Sequence, residues 1–187
     1  MNFNIEVNNR QILVHRGETI LNALRGNGIK IPTLCNMKEL SPTGACRLCV
    51  VEVEGRERLV TSCSQLVEEG MRIKTHSSRV VKARKTLVEL LLANHPDDCL
   101  YCERNGRCEL QSLAVELHVR ERHAQNKTFS QKLDLSSHSI IRDPSKCVLC
   151  GRCVRICNEL QSVSTFEFVK RGCNMYIGTA MSRDLTF

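Results

Sequence analysis

Cys147-Val148-Leu149-Cys150-Gly151-Arg152-Cys153-Val154-Arg155-Ile156-Cys157 places four cysteines in eleven residues, spaced C-x2-C-x2-C-x3-C. Thiolates this close in sequence wrap a single cubane iron–sulfur cluster. A structural zinc ion asks for two close pairs separated by a longer loop, so that four ligands surround one tetrahedral ion. Successive gaps of two, two and three residues do not supply that arrangement, and the run reads as an iron–sulfur site. The reading shapes the expected fold, because domains built around clusters need only small apolar cores.

Composition agrees with that expectation. The chain has 187 residues with twelve Cys, no Trp, two Tyr and five Phe, which suits several modest cores stapled by metal. The opening MNFNIEVNNR has no basic segment leading into an apolar run, so no secretory signal is expected. Apolar runs such as Leu90 to Ala93 are far too short to span a bilayer. A cytoplasmic chain with reduced, metal-available cysteines and no direct membrane insertion is the expectation. The formal charge of +7 counts cysteines as neutral thiols. Two all-cysteine clusters at about −2 each and one cluster with a histidine ligand at about −1 would bring it to about +2. The basic balance therefore offsets cluster charge, and no basic segment carries the aromatic platforms of a single-strand nucleic-acid binder.

From the N-terminus, Phe3, Ile5 and Val7 alternate with polar Asn4, Glu6 and Asn8, a strand pattern; Asn8-Asn9 turns and Ile12 to Val14 returns. Ile20, Leu21, Ala23 and Leu24 fit a short amphipathic helix stopped by Gly26 and Gly28. Hairpin, helix and then a cysteine loop is the order of a β-grasp ferredoxin. The loop carries Cys35, Cys46, Cys49 and Cys63, spaced C-x10-C-x2-C-x13-C, with the turn residues Ser41-Pro42-Thr43-Gly44 between the first two. Such a turn bends backbone around a metal centre and aims N–H groups at sulfur. Val50, Val51 and Val53 mark a strand, and Leu59 to Ser62 returns to deliver Cys63. Two ligands in the loop, one before it and one beside a strand suit a [2Fe–2S] centre, with x10 where the plant-type spacing has x4; a zinc ribbon is the competing reading.

Met71 to Thr75 offers a last strand, and Ser77 or Ser78 an N-cap for a helix from Val80 to Ala93. Its apolar stripe leaves Lys82, Arg84, Lys85 and Glu89 largely outside, and the basic residues read as a solvated face in preference to a docking surface. Beyond it, His95, Cys99, Cys102 and Cys108 form H-x3-C-x2-C-x5-C. Zinc accepts such a set as well, and the neighbouring cysteine runs favour iron–sulfur. A neutral imidazole in place of a thiolate makes a cluster less negative and raises its reduction potential. Glu109 to Val119 reads as a helix, His118 and His123 as solvated, and Gln125 to Ser139 as a linker or surface loop; Asp143-Pro144 sets a turn before Cys147. The expected division is 1–78, 79–123, a linker over 124–140, and 141–187.

These three motifs in this order resemble the N-terminal electron-transfer region shared by the large iron–sulfur subunit of respiratory complex I, the small diaphorase subunit of NAD-linked hydrogenases, and multi-cluster [FeFe]-hydrogenases. The resemblance covers nearly the whole chain. It implies that Cys35, Cys46, Cys49 and Cys63 hold a [2Fe–2S] cluster and that His95, Cys99, Cys102 and Cys108 hold a [4Fe–4S] cluster. Cys147, Cys150 and Cys153 would hold three irons of a further [4Fe–4S] cluster. The stretch Cys147 to Cys157 with Phe166-Glu167-Phe168-Val169 and Arg171-Gly172 is most similar to the hydrogenase and diaphorase branches. In two-cluster ferredoxins the fourth cysteine of such a run serves the other cluster, so Cys157 expects a second run downstream. Either the chain is part of a longer one, with a third [4Fe–4S] cluster beyond it, or Cys157 or Cys173 completes the cluster present. Cys153 and Cys157 lie one helical turn apart, and turning both towards one cubane calls for local unwinding. Cys173 reads as a buried free thiol.

The expected class is α+β: a β-grasp [2Fe–2S] domain, a small helical domain with a one-histidine, three-cysteine cluster, and a partial bacterial-ferredoxin-like domain. The expected function is single-electron relay between a flavin/NAD(P)H-oxidising subunit and a hydrogenase or dehydrogenase catalytic subunit in a hetero-oligomer. The sequence offers no Gly-rich nucleotide loop, no Ser–His pair and no paired carboxylates for catalysis of its own. Two alternatives are the front part of a catalytic [FeFe]-hydrogenase and a zinc-stapled nucleic-acid-binding protein.

Overall fold

In the computed structural model, residues 2–120 and 132–185 are described. The chain divides into two compact units, one of residues 1–36, 41–87 and 116–118, the other of residues 37–40, 88–115 and 119–187.

The first unit is built on a five-stranded mixed sheet. β1 (Asn2–Val7) and β2 (Arg10–His15) form an antiparallel hairpin in which Val7 faces Arg10. The two residues between them, Asn8 and Asn9, have φ of 49° and 65°. A two-residue loop with both φ positive matches the twist of the strands, and asparagine tolerates that region better than most side chains. β3 (Val50–Val53), β4 (Val60–Thr61) and β5 (Arg72–Lys74) complete the order β2-β1-β5-β3-β4, with β1 and β5 parallel and the other neighbours antiparallel. Asn8 extends the parallel junction: its Nδ2 donates to Thr75 Oγ1 at 2.8 Å and its Oδ1 accepts from the Thr75 N–H at 2.9 Å.

Helix α1 (Ile20–Gly26) is capped by Thr19, whose Oγ1 accepts from the Asn22 N–H at 3.3 Å. Ile20, Leu21 and Leu24 join Ile5, Val7, Val14, Val51 and Ile73 in one core, each no more than 2% exposed. Burying side chains of this size contributes about 1.5–3 kcal/mol apiece relative to leaving them in water. The result is an α+β domain, a mixed sheet with one short helix packed into its core.

Helix α2 (Ser78–Ala93) begins where the Ser77 hydroxyl accepts from the Val80 N–H at 3.4 Å. Val80, Arg84 and Val88 are 0%, 2% and 0% exposed. Four-residue spacing places all three on one face, so Arg84 is not the solvated residue that its charge suggests.

The second unit has fewer regular elements. A 3-10 turn spans Cys99–Tyr101, α3 spans Glu109–Glu116, and a second 3-10 turn, Pro144–Lys146, is capped by Asp143, which accepts from the Ser145 N–H at 3.1 Å. The short α4 (Arg152–Arg155) opens into a wider π-type turn over Ile156–Leu160. β6 (Phe166–Val169) and β7 (Tyr176–Thr179) pair as an antiparallel hairpin, Phe166 facing Thr179 and Val169 facing Tyr176. Within the expected linker, Asp134 exchanges both backbone hydrogen bonds with Arg142, at 2.8 and 3.1 Å. His118 is exposed, while His123 and residues 124–131 lie outside the described residues. No helix among the described residues is long and apolar enough to cross a membrane.

Candidate metal centres

Cys35, Cys49 and Cys63 are buried and Cys46 half-buried, although they come from a loop, a turn and the edge of a strand. The backbone N–H groups of Leu34 and Cys35 each lie 3.5 Å from Cys46 Sγ. The four thiols form two pairs. Hydrogen bonding to Cys46 lowers the Cys35 thiol from 9.0 to about 5 against the opposing effect of burial, with help from the Ala45 amide. The same bond, followed by burial, pushes Cys46 up. Likewise Cys63 lowers Cys49 from 9.0 to about 6, and the Cys49 bond together with burial pushes Cys63 up.

This donor set fits a two-iron centre, which takes two protein sulfurs per iron. A single tetrahedral zinc needs all its ligands at one point. Sequence reasoning missed one neighbour. Arg84 Nε donates to the Leu48 carbonyl at 3.0 Å and its Nη2 to the Val50 carbonyl at 2.8 Å, so the guanidinium grips both sides of Cys49. The available signal was its position midway between Val80 and Val88 on the helical stripe.

His95, Cys99, Cys102 and Cys108 line one cavity of about 430 Å³. His95 follows the end of α2, Cys99 opens a 3-10 turn, and Cys108 directly precedes α3. The segment from Cys102 to Cys108 is held by Gln111 of α3: its Oε1 accepts from the Gly106 N–H at 3.0 Å and its Nε2 donates to Asn105 Oδ1 at 2.9 Å. Gly106, at φ +76°, supplies the left-handed bend between them. Lys146 Nζ lies 3.2 Å from Asp98 Oδ2, and that carboxylate raises the Lys146 pKa. Leu100 and Tyr101, between two of the cysteines, are 85% and 88% exposed. One imidazole and three thiols around a cavity of this size suit a cubane.

Cys147, Cys150 and Cys153 form the third group. Cys147 Sγ accepts from the Leu149 N–H at 3.4 Å. Leu149 and Gly151, with φ of 53° and 67°, bend the backbone between the cysteines. Burial pushes the Cys147 thiol up, and the nearby Cys150 and Cys153 add to the rise. Three thiols within electrostatic reach of each other fit three corners of a cubane. Cys157 differs: it is buried in the π-type turn, with its thiol 3.6 Å from Gln161 Oε1, whereas Cys153 is exposed. The helix does open between them, but it leaves the two sulfurs in different surroundings. Cys173 is corrected from a buried thiol to an exposed one, because it sits on a 3-10 turn, Gly172–Asn174, before β7, and residues 171–174 are all exposed.

Comparison with known proteins gives a consistent answer. Residues 1–78 match the model of a 2Fe-2S iron-sulfur cluster binding domain, residues 84–123 the NADH-ubiquinone oxidoreductase-G iron-sulfur binding region, and residues 137–187 the ferredoxin-like domain of NADH-quinone oxidoreductase subunit 3. The NADP-reducing hydrogenase subunit HndD of Solidesulfovibrio fructosivorans is 42% identical over 97% of this chain and 32% of its own length. The mitochondrial NADH-ubiquinone oxidoreductase 78 kDa subunit of Candida albicans is 33% identical over 97% of this chain and 25% of its own. A chain of an NAD+-reducing [NiFe]-hydrogenase, solved in its H2-reduced state, superposes with a TM-score of 0.89 at 28% identity, over 99% of this chain and 80% of that one.

Fold and matches together define a multi-cluster iron–sulfur binding region, with one [2Fe–2S] domain followed by [4Fe–4S] binding regions. The chain is similar to subunits of NADH-ubiquinone oxidoreductase and of NAD(P)-linked hydrogenases, and its three segments match iron–sulfur domain models of the NADH oxidoreductase type. It spans a third or less of the length of the two curated relatives named above.

Proposed function

We propose that this chain relays single electrons between a flavin/NAD(P)H-oxidising subunit and a hydrogenase or dehydrogenase catalytic centre, as one part of a cytoplasmic hetero-oligomer. The observation that carries the reading is the gathering of Cys35, Cys46, Cys49 and Cys63 into one largely buried site, with the Leu34 and Cys35 N–H groups aimed at Cys46 Sγ. In this assignment Cys35, Cys46, Cys49 and Cys63 hold the [2Fe–2S] cluster. His95, Cys99, Cys102 and Cys108 hold a [4Fe–4S] cluster, and Cys147, Cys150 and Cys153 hold three irons of the next. Cys157 serves that cluster or a neighbouring one. When bound, the clusters supply reversible one-electron chemistry. The protein contributes thiolates, one imidazole, amide N–H groups aimed at sulfur, and burial, which together set where an electron is most stable. Similarity to an NADP-reducing hydrogenase subunit and to an NAD+-reducing hydrogenase supports pyridine-nucleotide-linked partners.

Iron and acid-labile sulfide analysis with EPR of the reduced protein tests the assignment. Two irons plus four plus four give about ten irons per chain, with one [2Fe–2S] and two [4Fe–4S] signals. A colourless, zinc-containing protein with no reducible signal would overturn it. NADH or NADPH should reduce the clusters only when a flavin-bearing subunit is added.

A second reading is favoured by the 42% identity to HndD over only 32% of that subunit's length. Here the chain is the front part of a catalytic [FeFe]-hydrogenase, and coding sequence with further cysteine motifs after Phe187 would decide for it.

A further inference from the structure

We propose that Arg84 sets the reduction potential of the first site, acting as a permanent, desolvated positive charge that clasps the peptide carbonyls on either side of Cys49. The proposal rests on Cys49 being a ligand of the two-iron centre, as assigned above. Arg84 lies in α2, beyond the residues 1–78 that match the [2Fe–2S] domain model. It is therefore a contribution to the first site from the adjoining segment.

An arginine that is 2% exposed needs a reason to be there, since burying a guanidinium without partners is costly. Its Nε and Nη2 are satisfied by the carbonyls of Leu48 and Val50. These acceptors are neutral dipoles, so they satisfy Nε and Nη2 without cancelling the charge. Burial lowers the Arg84 pKa; of the charges that oppose this, Cys49 is the larger influence and Glu116 the smaller. Arginine remains protonated in such surroundings. The charge therefore has an electrostatic counterpart in the Cys49 sulfur, in a region where water screens little.

The direction of the effect follows from charge. A two-iron centre with four thiolates carries about −2 when oxidised and gains one more negative charge on reduction. A nearby buried cation stabilises the reduced state more than the oxidised state, which raises the potential. The fork also fixes the orientation of the turn bearing Cys49, but orientation alone does not favour one redox state through charge. Arg84 is thus a positioning residue whose distinguishing effect is a potential.

The test is potentiometric EPR titration of the [2Fe–2S] signal in the full-length holoprotein and its variants. Arg84→Gln keeps an N–H donor but loses the charge; Arg84→Met keeps the length and loses both; Arg84→Lys keeps the charge and loses the fork. In whichever neutral variant retains the centre, the reduced-to-oxidised ratio at a fixed potential should fall at least tenfold, about 59 mV for one electron. Arg84→Lys should stay within threefold of the wild type, and the [4Fe–4S] potentials should not move. A neutral variant within threefold of the wild type overturns the proposal. Loss of the centre from both neutral variants while Arg84→Lys retains it also overturns it, assigning Arg84 to structure alone. Absence of a [2Fe–2S] signal in the wild type would instead refute the ligand assignment.

Discussion

A Cβ built on Gly151 would stand 2.8 Å from Cζ of Phe168, so the bend between Cys150 and Cys153 and the first strand of the C-terminal hairpin occupy adjoining space. Gly151 is also in the left-handed region at φ +67°. Both conditions favour a residue with no side chain.

Gly151→Ala should therefore cost about 1–3 kcal/mol in chemical denaturation and lower the iron content of the third site. The Phe168 ring is 46% exposed and can swing outward. Adding Phe168→Ala should relieve the steric part and leave about 1 kcal/mol from the backbone.

Asp134 gives a pH-dependent prediction. Hydrogen bonds from Ser136 and then Arg142 hold its carboxyl down, from 3.8 to about 2. Arg142 approaches Asp134 Oδ2 at 2.7 Å and lies 4.7 Å from the Phe166 ring centroid. Because the folded pKa is depressed, the stabilisation is fully present above pH 3.8 and is lost as pH falls through about 2. Asp134→Asn should cost about 1 kcal/mol at neutral pH and flatten the acid limb of the stability curve over that window.

Replacing His95 with cysteine adds a negative charge to a site already containing three thiols. His95→Cys should retain a [4Fe–4S] signal whose potential falls by about 59 mV or more, a tenfold change in the redox ratio. His95→Ala should lower iron content with little effect on the [2Fe–2S] signal. EPR titration beside iron analysis separates these outcomes.

Chelation should affect the two units unequally. The first has a continuous apolar core of strands and helix, whereas among the described residues of the second the buried apolar side chains are scattered, as at Leu110, Leu113 and Ile177. Removing iron should leave amide protection in β1, β5 and α1 largely intact and abolish it around α3 and α4. Hydrogen exchange with mass spectrometry reads this directly.

The hairpin of β1 and β2, the helices α1 and α2 and the cysteine spacings were legible in the sequence because each is set by local period or spacing. What was not legible depends on distant partners. Nothing near Arg72 announces that β5 runs parallel to β1, and nothing near Arg84 announces the carbonyls of Leu48 and Val50. Charge argued for solvent at Arg84, and its place between Val80 and Val88 argued for the core; the helix face decided. At Cys173, residue type argued for burial and a tight turn overruled it. Cys153 and Cys157 sat at an obvious helical interval, but the widening at Ile156–Leu160 belongs to packing rather than pattern.

The bond between Asn8 and Thr75 joins positions 67 residues apart. On the ribosome, the first hairpin emerges early but cannot gain its parallel neighbour until that late segment has left the tunnel, and such non-local pairings are slow to form. All four cysteines of the first site, through Cys63, are made before this closure, and Arg84 arrives after it.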